Sequence, residues 1–374
     1  MSVFLFLKQF VDLLYNWKWL DIVMVALAVM MLGYQFLLLR PDVKKEIRPA
    51  DVVIILLGFL CTVSFLRDIS AFEAYLKVMS AFLLYFMGRL YYDRILECDD
   101  ALALSSYLII YINFIHRVVT FGSGLFRVTN AGGDLYYYDT DMAYAMILAF
   151  IFVAMFARNS VFKLITLVFV CPYMIICSDA GIQTIMFIFI VLVLLMYVLE
   201  VALNKKAFAM IGMGVLIAGL LAVVTLIYLP MIFPGSQLAR GIFGGGTILD
   251  MANMESRYSD WRLVYALGKP ETLFENLFGV SFNTHLPLMS FYLKTLYTIG
   301  IAGFLLVIVL IMMSFIAASK GGERKSFYIT VMLAILFLGS GVTFNTMESV
   351  QMSWFVMLFM GMVISAGRVT TDET

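Results

Sequence analysis

The sequence predicts an all-α polytopic membrane protein of about eleven (ten to twelve) transmembrane helices, with one large external loop that contains short helices. Three observations predict it. Hydrophobic residues make up 63% of the chain and charged residues 13%, against roughly 45–50% and about 25% in soluble domains. Mean hydropathy is +0.99, and the apolar residues gather into windows long enough to cross a bilayer. The basic residues concentrate in connections that fall on one side when the windows are alternated. Net charge is zero, so no bulk attraction to nucleic acid is implied. The four cysteines (Cys61, Cys98, Cys171, Cys177) show no metal-ligand spacing, and two of them fall inside apolar windows, so no disulfide framework is expected.

The elements follow in chain order. The segment before Trp17 is apolar but carries Lys8 and Asp12; it reads as an interfacial helix, with a twelfth span as the alternative. Its run from Val3 to Leu7 is too short for a cleavable signal peptide, is broken by Lys8 and has no small-residue cleavage site behind it. The spanning windows are Leu20–Leu39, Asp51–Leu66, Ala71–Gly88, Ala101–Thr120, Met142–Ala157, Val161–Ile176, Gly181–Val201, Ala207–Phe233, Phe291–Ala318, Phe327–Thr343 and Met352–Ala366. "RPDVKKEIR" at Arg40–Arg48 is the densest basic loop and is placed in the cytoplasm. Alternation then puts "RLYYDR", "ARNSVFK", "NKK" and "KGGERK" on the same side. The other side receives Leu66–Ala71, Phe121–Asp141, the tight turn Cys177–Gly181, Pro234–Met289 and Asn345–Gln351. Residues 1–374 thus read as a single transmembrane domain with a small external loop at 121–141 and a large one at 234–289.

The large loop has room for structure of its own. After the flexible "GIFGGG", Asn253 is a plausible N-cap for a helix running to about Leu267, which Gly268 and Pro270 terminate. On that helix Arg257 and Trp261 share a face at i,i+4, whereas Arg262 lies about 140° around from Arg257 at 100° per residue. The two arginines therefore point at different atoms.

Chemistry-bearing residues stand out on the external side. Arg127, Arg240, Arg257 and Arg262 all fall there, and a guanidinium fork binds two phosphate oxygens at once. The same arginines could equally pair with Asp250, Glu255 and Asp260 or with anionic headgroups. His285 precedes the Phe291 window; an ordinary imidazole pKa near 6.5 suits proton abstraction, although an interfacial hydrogen bond is the plainer role and composition alone favours it. His116 with Arg117, near the outer end of the fourth window, reads as structural support. Lys294 could snorkel outward or approach a phosphate. Asp139 and Asp141 end "DLYYYDTD", whose tyrosines suit an interfacial belt more than sugar stacking. Ser178 and Asp179 read as a polar helix–helix turn. No phosphate-cradling GxxxxGK[ST], HExxH, GxSxG or zinc spacing occurs, and no tandem repeat stands out.

The order of these features resembles the O-antigen polymerase and ligase superfamily, the Wzy-type glycan polymerases and their relatives. In that pattern a late periplasmic loop carries an arginine and a nearby Trp, a glycine stretch, a histidine, and then a helix ending in "GxxG". Here "SRYSDWRLVYAL" supplies Arg257 and Trp261, "LFGVSFNTH" the glycine and His285, and "TIGIAGFLL" the Gly300–Gly303 ending. "FRVTNAGGDLYYYDTDMAYA" resembles the family's earlier external loop, with Arg127 as its arginine. Two places depart from the pattern: Leu286 rather than asparagine follows His285, and Ser178 is followed by Asp179 rather than arginine.

The resemblance implies a membrane-embedded glycosyltransferase of GT-C-like architecture in a bacterial cytoplasmic (inner) membrane, with its active site on the periplasmic face. It would transfer a glycan from polyprenyl (undecaprenyl) diphosphate to an acceptor sugar hydroxyl, as in O-antigen, capsule or exopolysaccharide synthesis. Arg127, Arg257 and Arg262, with Arg240, would bind the diphosphate, His285 would take or orient the acceptor proton, and Trp261, Asp139 and Asp141 are candidate sugar contacts. No cofactor or metal is expected. Implied partners are the lipid-linked oligosaccharides, membrane lipids and a chain-length regulator protein. Ligase-type transfer to a lipid core or a protein remains open. So does a transporter or flippase, which would more often show inverted repeats and Gly/Pro-broken helices at the midplane.

Overall fold

A computed structural model describes residues 1–14, 18–38, 47–121, 140–158, 160–171, 174, 272–282, 290–320, 333, 336–338, 341 and 345–366. All regular structure among them is helical. Four helices are long and apolar enough to cross a membrane (Lys18–Leu38, Pro49–Arg67, Ile69–Leu90 and Phe291–Ala318), and shorter apolar helices lie at Ala145–Phe156, Val161–Val170 and Val350–Ala366. The windows Gly181–Val201 and Ala207–Phe233, and most of Phe327–Thr343, lie outside the described residues. The chain divides into two compact units: Met1–Ala101 with Ser256–Thr374, and Leu102–Glu255.

In the first unit α1 (Ser2–Leu13), α2 (Lys18–Leu38), α3 (Pro49–Arg67), α4 (Phe72–Leu90) and the short α5 (Tyr92–Leu96) run in succession. α6 (Asp99–Phe121) begins there and continues into the second unit. At one end of the unit, α3 starts on a capping box. The Arg48 amide donates to Asp51 Oδ2 at 2.9 Å, and Pro49 occupies the first helical position, where no amide is missed. The Arg48 guanidinium donates to the Ile364 and Ser365 carbonyls, closing the last turn of α11 (Val350–Ala366). Arg89 makes a two-pronged pair with Asp51, Nε to Oδ1 at 2.9 Å and Nη2 to Oδ2 at 3.0 Å, and also donates to Ser365 Oγ. α4 and α11 approach closely because both carry glycine at the crossing. A Cβ on Gly88 would fall on the Leu358 carbonyl, and one on Gly361 on the Tyr85 carbonyl. Small residues let helices meet backbone to backbone in this way.

α1 runs along the bundle. Ser2 Oγ lies 3.2 Å from Cys98 Sγ at the end that carries Arg89, and beyond Leu14 the chain reaches Lys18, which pairs with Glu73 at the opposite end. Lys8 is buried between, ion-paired with Asp12 one turn on, its ammonium 4.6 Å from the centre of the Trp354 ring. A carboxylate and an aromatic face compensate a charge that burial would otherwise penalise.

The opposite end is built around a broken helix. α10 (Phe291–Lys320) is interrupted at Gly300, where φ is 68° and ψ −171°. The twenty residues after Gly300 cover about 30 Å at 1.5 Å each, the thickness of a hydrocarbon core. Residues 291–299, before the break, make about two and a half turns. The carbonyls freed by the break have protein partners: the Val280 amide donates to Tyr297 O at 2.7 Å, and Ser64 Oγ donates to Thr298 O at 2.7 Å. The segment that supplies Val280 follows α9 (Leu273–Phe278), a helix started by a Thr272–Glu275 capping box and ended at Gly279, φ 80°. Gly279 and Gly300 face each other so closely that a Cβ on the first would strike the Thr298 backbone and on the second the Leu277 backbone. Arg67, at the end of α3, donates to the Gly279 and Val280 carbonyls and lies 5.2 Å from the centre of the Phe274 ring. The contacts thus group Arg67, 279–282 and 291–299 at one end and Arg48, Arg89 and Ser365 at the other, the same grouping that the alternation of basic loops predicts.

In the second unit, α7 (Thr140–Phe156) is buried on every face from Ala145 to Val153. α8 (Val161–Ile165) is N-capped by Ser160 Oγ, which accepts from the Lys163 amide, and runs into a π-helical turn at Thr166–Val170. Tyr111 of α6 stacks on Phe162 with ring centres 5.0 Å apart, and its hydroxyl lies 3.0 Å from Thr166 Oγ1.

Candidate functional site

A small, open and mostly apolar cleft of about 30 Å³ lies where the first half of α10 meets α3, α4 and residues 345–348. Its apolar wall includes Phe282, Phe291 and Ile299; its polar groups are Lys294, Thr295, Thr298, Asn345 and Glu348. Cys61 and Val78 also line it, six residues inside the ends of α3 and α4. The cleft therefore reaches about two turns below that end of the bundle, as far as Val307 of α10.

The polar groups are under-satisfied. Lys294 Nζ and Glu348 Oε1 are 3.7 Å apart, with side chains only 14% and 24% exposed. That spacing is an ion pair but lies beyond the 2.7–3.2 Å range of a hydrogen bond. Thr298 Oγ1 and Asn345 Oδ1 are buried without a hydrogen-bond partner, and so is Thr346 Oγ1 close by. Leaving a buried polar atom unpaired costs about 1–3 kcal/mol, so a cleft that keeps several is arranged for something other than stability.

Of the residues singled out in the sequence, Lys294 is the one whose surroundings can be described. It neither points into open solvent nor stands alone for an anion: Glu348 faces it. Arg127, Asp139, Arg240, Arg257, Trp261, Arg262 and His285 lie outside the described residues, as do Ser178 and Asp179. The backbones of His116 and Arg117 belong to α6, and that of Asp141 to the first turn of α7, but their side chains lie outside the description. The chain on both sides of His285 is nevertheless well anchored. Phe282 is 2% exposed and meets Tyr75 edge-on at 5.9 Å; Tyr75 in turn stacks on Phe65 at 4.4 Å. On the far side, Ser290 Oγ and the Phe291 amide both donate to the Gly341 carbonyl, at 3.1 and 2.9 Å, and the Phe291 ring sits 5.0 Å from Phe337. Phe282 and Phe291 both line the cleft.

Asn345 and Glu348 were not foreseen as site residues. Their signal was present, though weak: "FNTMES" is a polar run between two apolar windows, on the side that also receives the large loop. The described residues define a helical transmembrane protein with a small, part-buried cleft near one end. No family model and no curated protein matches the chain, so its activity is argued from these residues.

Proposed function

We propose that the protein is a metal-independent membrane glycosyltransferase that polymerises lipid-linked oligosaccharide repeat units, moving a glycan from polyprenyl diphosphate to an acceptor sugar hydroxyl at the external face of a bacterial cytoplasmic membrane. The observation that supports this reading is a cleft within about two turns of the bundle's end whose wall includes Phe282 and Phe291, described residues that flank His285 in the sequence. A lipid-linked sugar presents its diphosphate at the water–lipid boundary, so a site near the end of the bundle suits it. In this reading Arg127, Arg257 and Arg262, with Arg240, hold the diphosphate and stabilise its charge as it leaves. His285 accepts the acceptor's hydroxyl proton; Trp261, Asp139 and Asp141 contact the sugar. The acceptor oxygen bonds to the anomeric carbon as the bond to diphosphate breaks, and a single displacement inverts that centre.

A transporter is the second reading, and one observation favours it: α10 is broken at a glycine. Against it, the Tyr297 and Thr298 carbonyls at the break already accept hydrogen bonds from Val280 and Ser64, and about 30 Å of helix remains below it. Two of the carbonyls at the break are therefore already engaged within the protein.

Polymerisation of purified lipid-linked repeat unit by purified protein tests the proposal. Wild type should make polymer; His285→Ala should lose about 10²–10⁴-fold in rate at equal protein amount, and His116→Ala should be milder. Full-length product from His285→Ala would remove that residue from the chemistry. Transfer only to a lipid-core acceptor would identify a ligase, and movement of the intact lipid-linked unit across proteoliposomes without new glycosidic bonds would identify a transporter.

A further inference from the structure

Two lengths place one end of the first unit at the edge of a hydrocarbon core. α3 has Arg48 just before its first residue and Arg67 as its last, and its nineteen residues at 1.5 Å each set those two cations about 28 Å apart. A bilayer interior is roughly 30 Å thick. α10 marks the same level, because about 30 Å of helix follows Gly300. The two marks coincide: Arg67 donates to the Gly279 carbonyl, and Gly279 lies against Gly300. α9 ends at Gly279, so it lies at this level too.

α9 has two unlike sides. At 100° per residue Leu273, Phe274, Leu277 and Phe278 fall within an arc of about 140°, and Glu275 and Asn276 take the opposite side. Both polar side chains turn back to the start of the helix: Glu275 Oε2 accepts from the Thr272 amide, and Asn276 Nδ2 donates to the Thr272 carbonyl at 2.9 Å. The apolar side is bare. Leu273 is 78% exposed, Phe274 is 56% exposed, and Leu277 is exposed as well. Leu66, Ile69 and Phe72, where α3 gives way to α4, are exposed in the same way. The Arg67 guanidinium joins the two patches, since it ends α3 and lies against the Phe274 ring. Its Nη1 serves the Gly279 and Val280 carbonyls, and the residue is otherwise exposed. An interfacial helix lays its apolar side among acyl chains and keeps its polar side in the headgroups, with basic groups beside it.

We propose that α9 is a membrane-surface anchor whose occupant is the lipid bilayer: Leu273, Phe274 and Leu277 seat among the acyl chains of the leaflet on the Arg67 side, with Arg67 at the level of the lipid phosphates. The anchor fastens the chain to the bilayer just before the His285 segment. It does not rest on the polymerase reading and holds equally for a ligase or a transporter.

Spin labels on the full-length protein, reconstituted in vesicles of phosphatidylcholine and phosphatidylglycerol, test the anchor. Leu273→Cys, Phe274→Cys and Asn276→Cys are made singly in a Cys177→Ser background; Cys61, Cys98 and Cys171 are buried and stay unlabelled. Molecular oxygen concentrates among acyl chains and a nickel chelate stays in water, so the relaxation that each causes reports where a label sits. The labels of Leu273→Cys and Phe274→Cys should meet oxygen severalfold more often, relative to the chelate, than the label of Asn276→Cys. Chelate reaching all three alike would put α9 in water and overturn the anchor. Labels of Leu273→Cys and Phe274→Cys that neither reagent reaches would mean that protein covers this face, and that also overturns it. Leu273 is the most exposed of the apolar side chains on α9, so Leu273→Cys leaves the packing in place and decides the matter even where Phe274→Cys disturbs the fold. Polymer formation is read in a separate assay, so either proposal can fail without the other.

Discussion

Asp51→Asn should unfold the protein at a markedly lower temperature, and the structure sets the size of the effect. The Asp51 carboxylate accepts four hydrogen bonds: from Arg89 Nε at 2.9 Å, Arg89 Nη2 at 3.0 Å, Tyr85 OH at 2.8 Å and the Arg48 amide at 2.9 Å. Arg89 and Asp51 are 8% and 9% exposed. Asparagine keeps one oxygen, which can serve the two donors at Oδ1. It turns the other position into an NH₂ that confronts the Arg48 amide and Arg89 Nη2, donor against donor. Two hydrogen bonds to a charged group are lost, at about 1.5–3 kcal/mol each, and the buried Arg89 guanidinium loses the Asp51 counter-charge. Breaking a buried pair from one side costs about 3–5 kcal/mol, in the same range. At roughly 2–4 °C per kcal/mol for a unit of this size, the apparent melting midpoint of the detergent-purified variant should fall by about 6–20 °C. The double variant Asp51→Leu/Arg89→Met, with no charge left to strand, should recover most of the loss. An Asp51→Asn midpoint within roughly 2 °C of wild type would refute the reasoning, because the pair would then contribute no more than an exposed one.

Gly300→Ala should destabilise the outer end. A left-handed backbone costs a side chain roughly 1–2 kcal/mol, and the new methyl would displace the Leu277–Gly279 backbone; limited proteolysis between α9 and α10 reads it out as faster cleavage. Cysteines placed at Lys45 and Gly245 should react with an impermeant thiol reagent from opposite sides of the membrane, and same-side labelling would mean that the spans between them are miscounted. Native Cys61, Cys98 and Cys171 are buried, and burial pushes the Cys98 thiol above its ordinary pKa, so these three should stay silent at neutral pH. Arg257→Lys should lose most polymer-forming activity although charge is kept, since lysine cannot reproduce the two-pronged fork; wild-type glycan length would show that Arg257 is a solvated ion-pair partner worth about 0–1 kcal/mol.

The windows that the sequence marks as spans coincide with helices wherever the structure describes them, because a stretch that must bury its backbone in lipid has few other conformations open to it. Asp51–Leu66 became Pro49–Arg67, Ala71–Gly88 became Phe72–Leu90, and Met352–Ala366 became Val350–Ala366. Hydropathy saw less well where charge and burial compete. Lys8 and Asp12 argued for an interfacial helix, yet they neutralise each other one turn apart, and Trp354, some 340 positions further along, covers the ammonium. No local pattern carries that pairing. The "GxxG" ending was visible as two glycines; that Gly300 is the one that breaks the helix follows from its φ of 68° and from Gly279 lying against it, a tertiary fact.

The cleft was illegible for a related reason, and the reason bears on what the site does. Lys294 taken alone is a cation near the start of an apolar segment, and charge by itself suggests an anion. Glu348, more than fifty positions later, reverses that inference: with a carboxylate 3.7 Å away the lysine no longer offers a net positive field, only directional donors. A site of that kind selects by hydrogen-bond pattern rather than by charge.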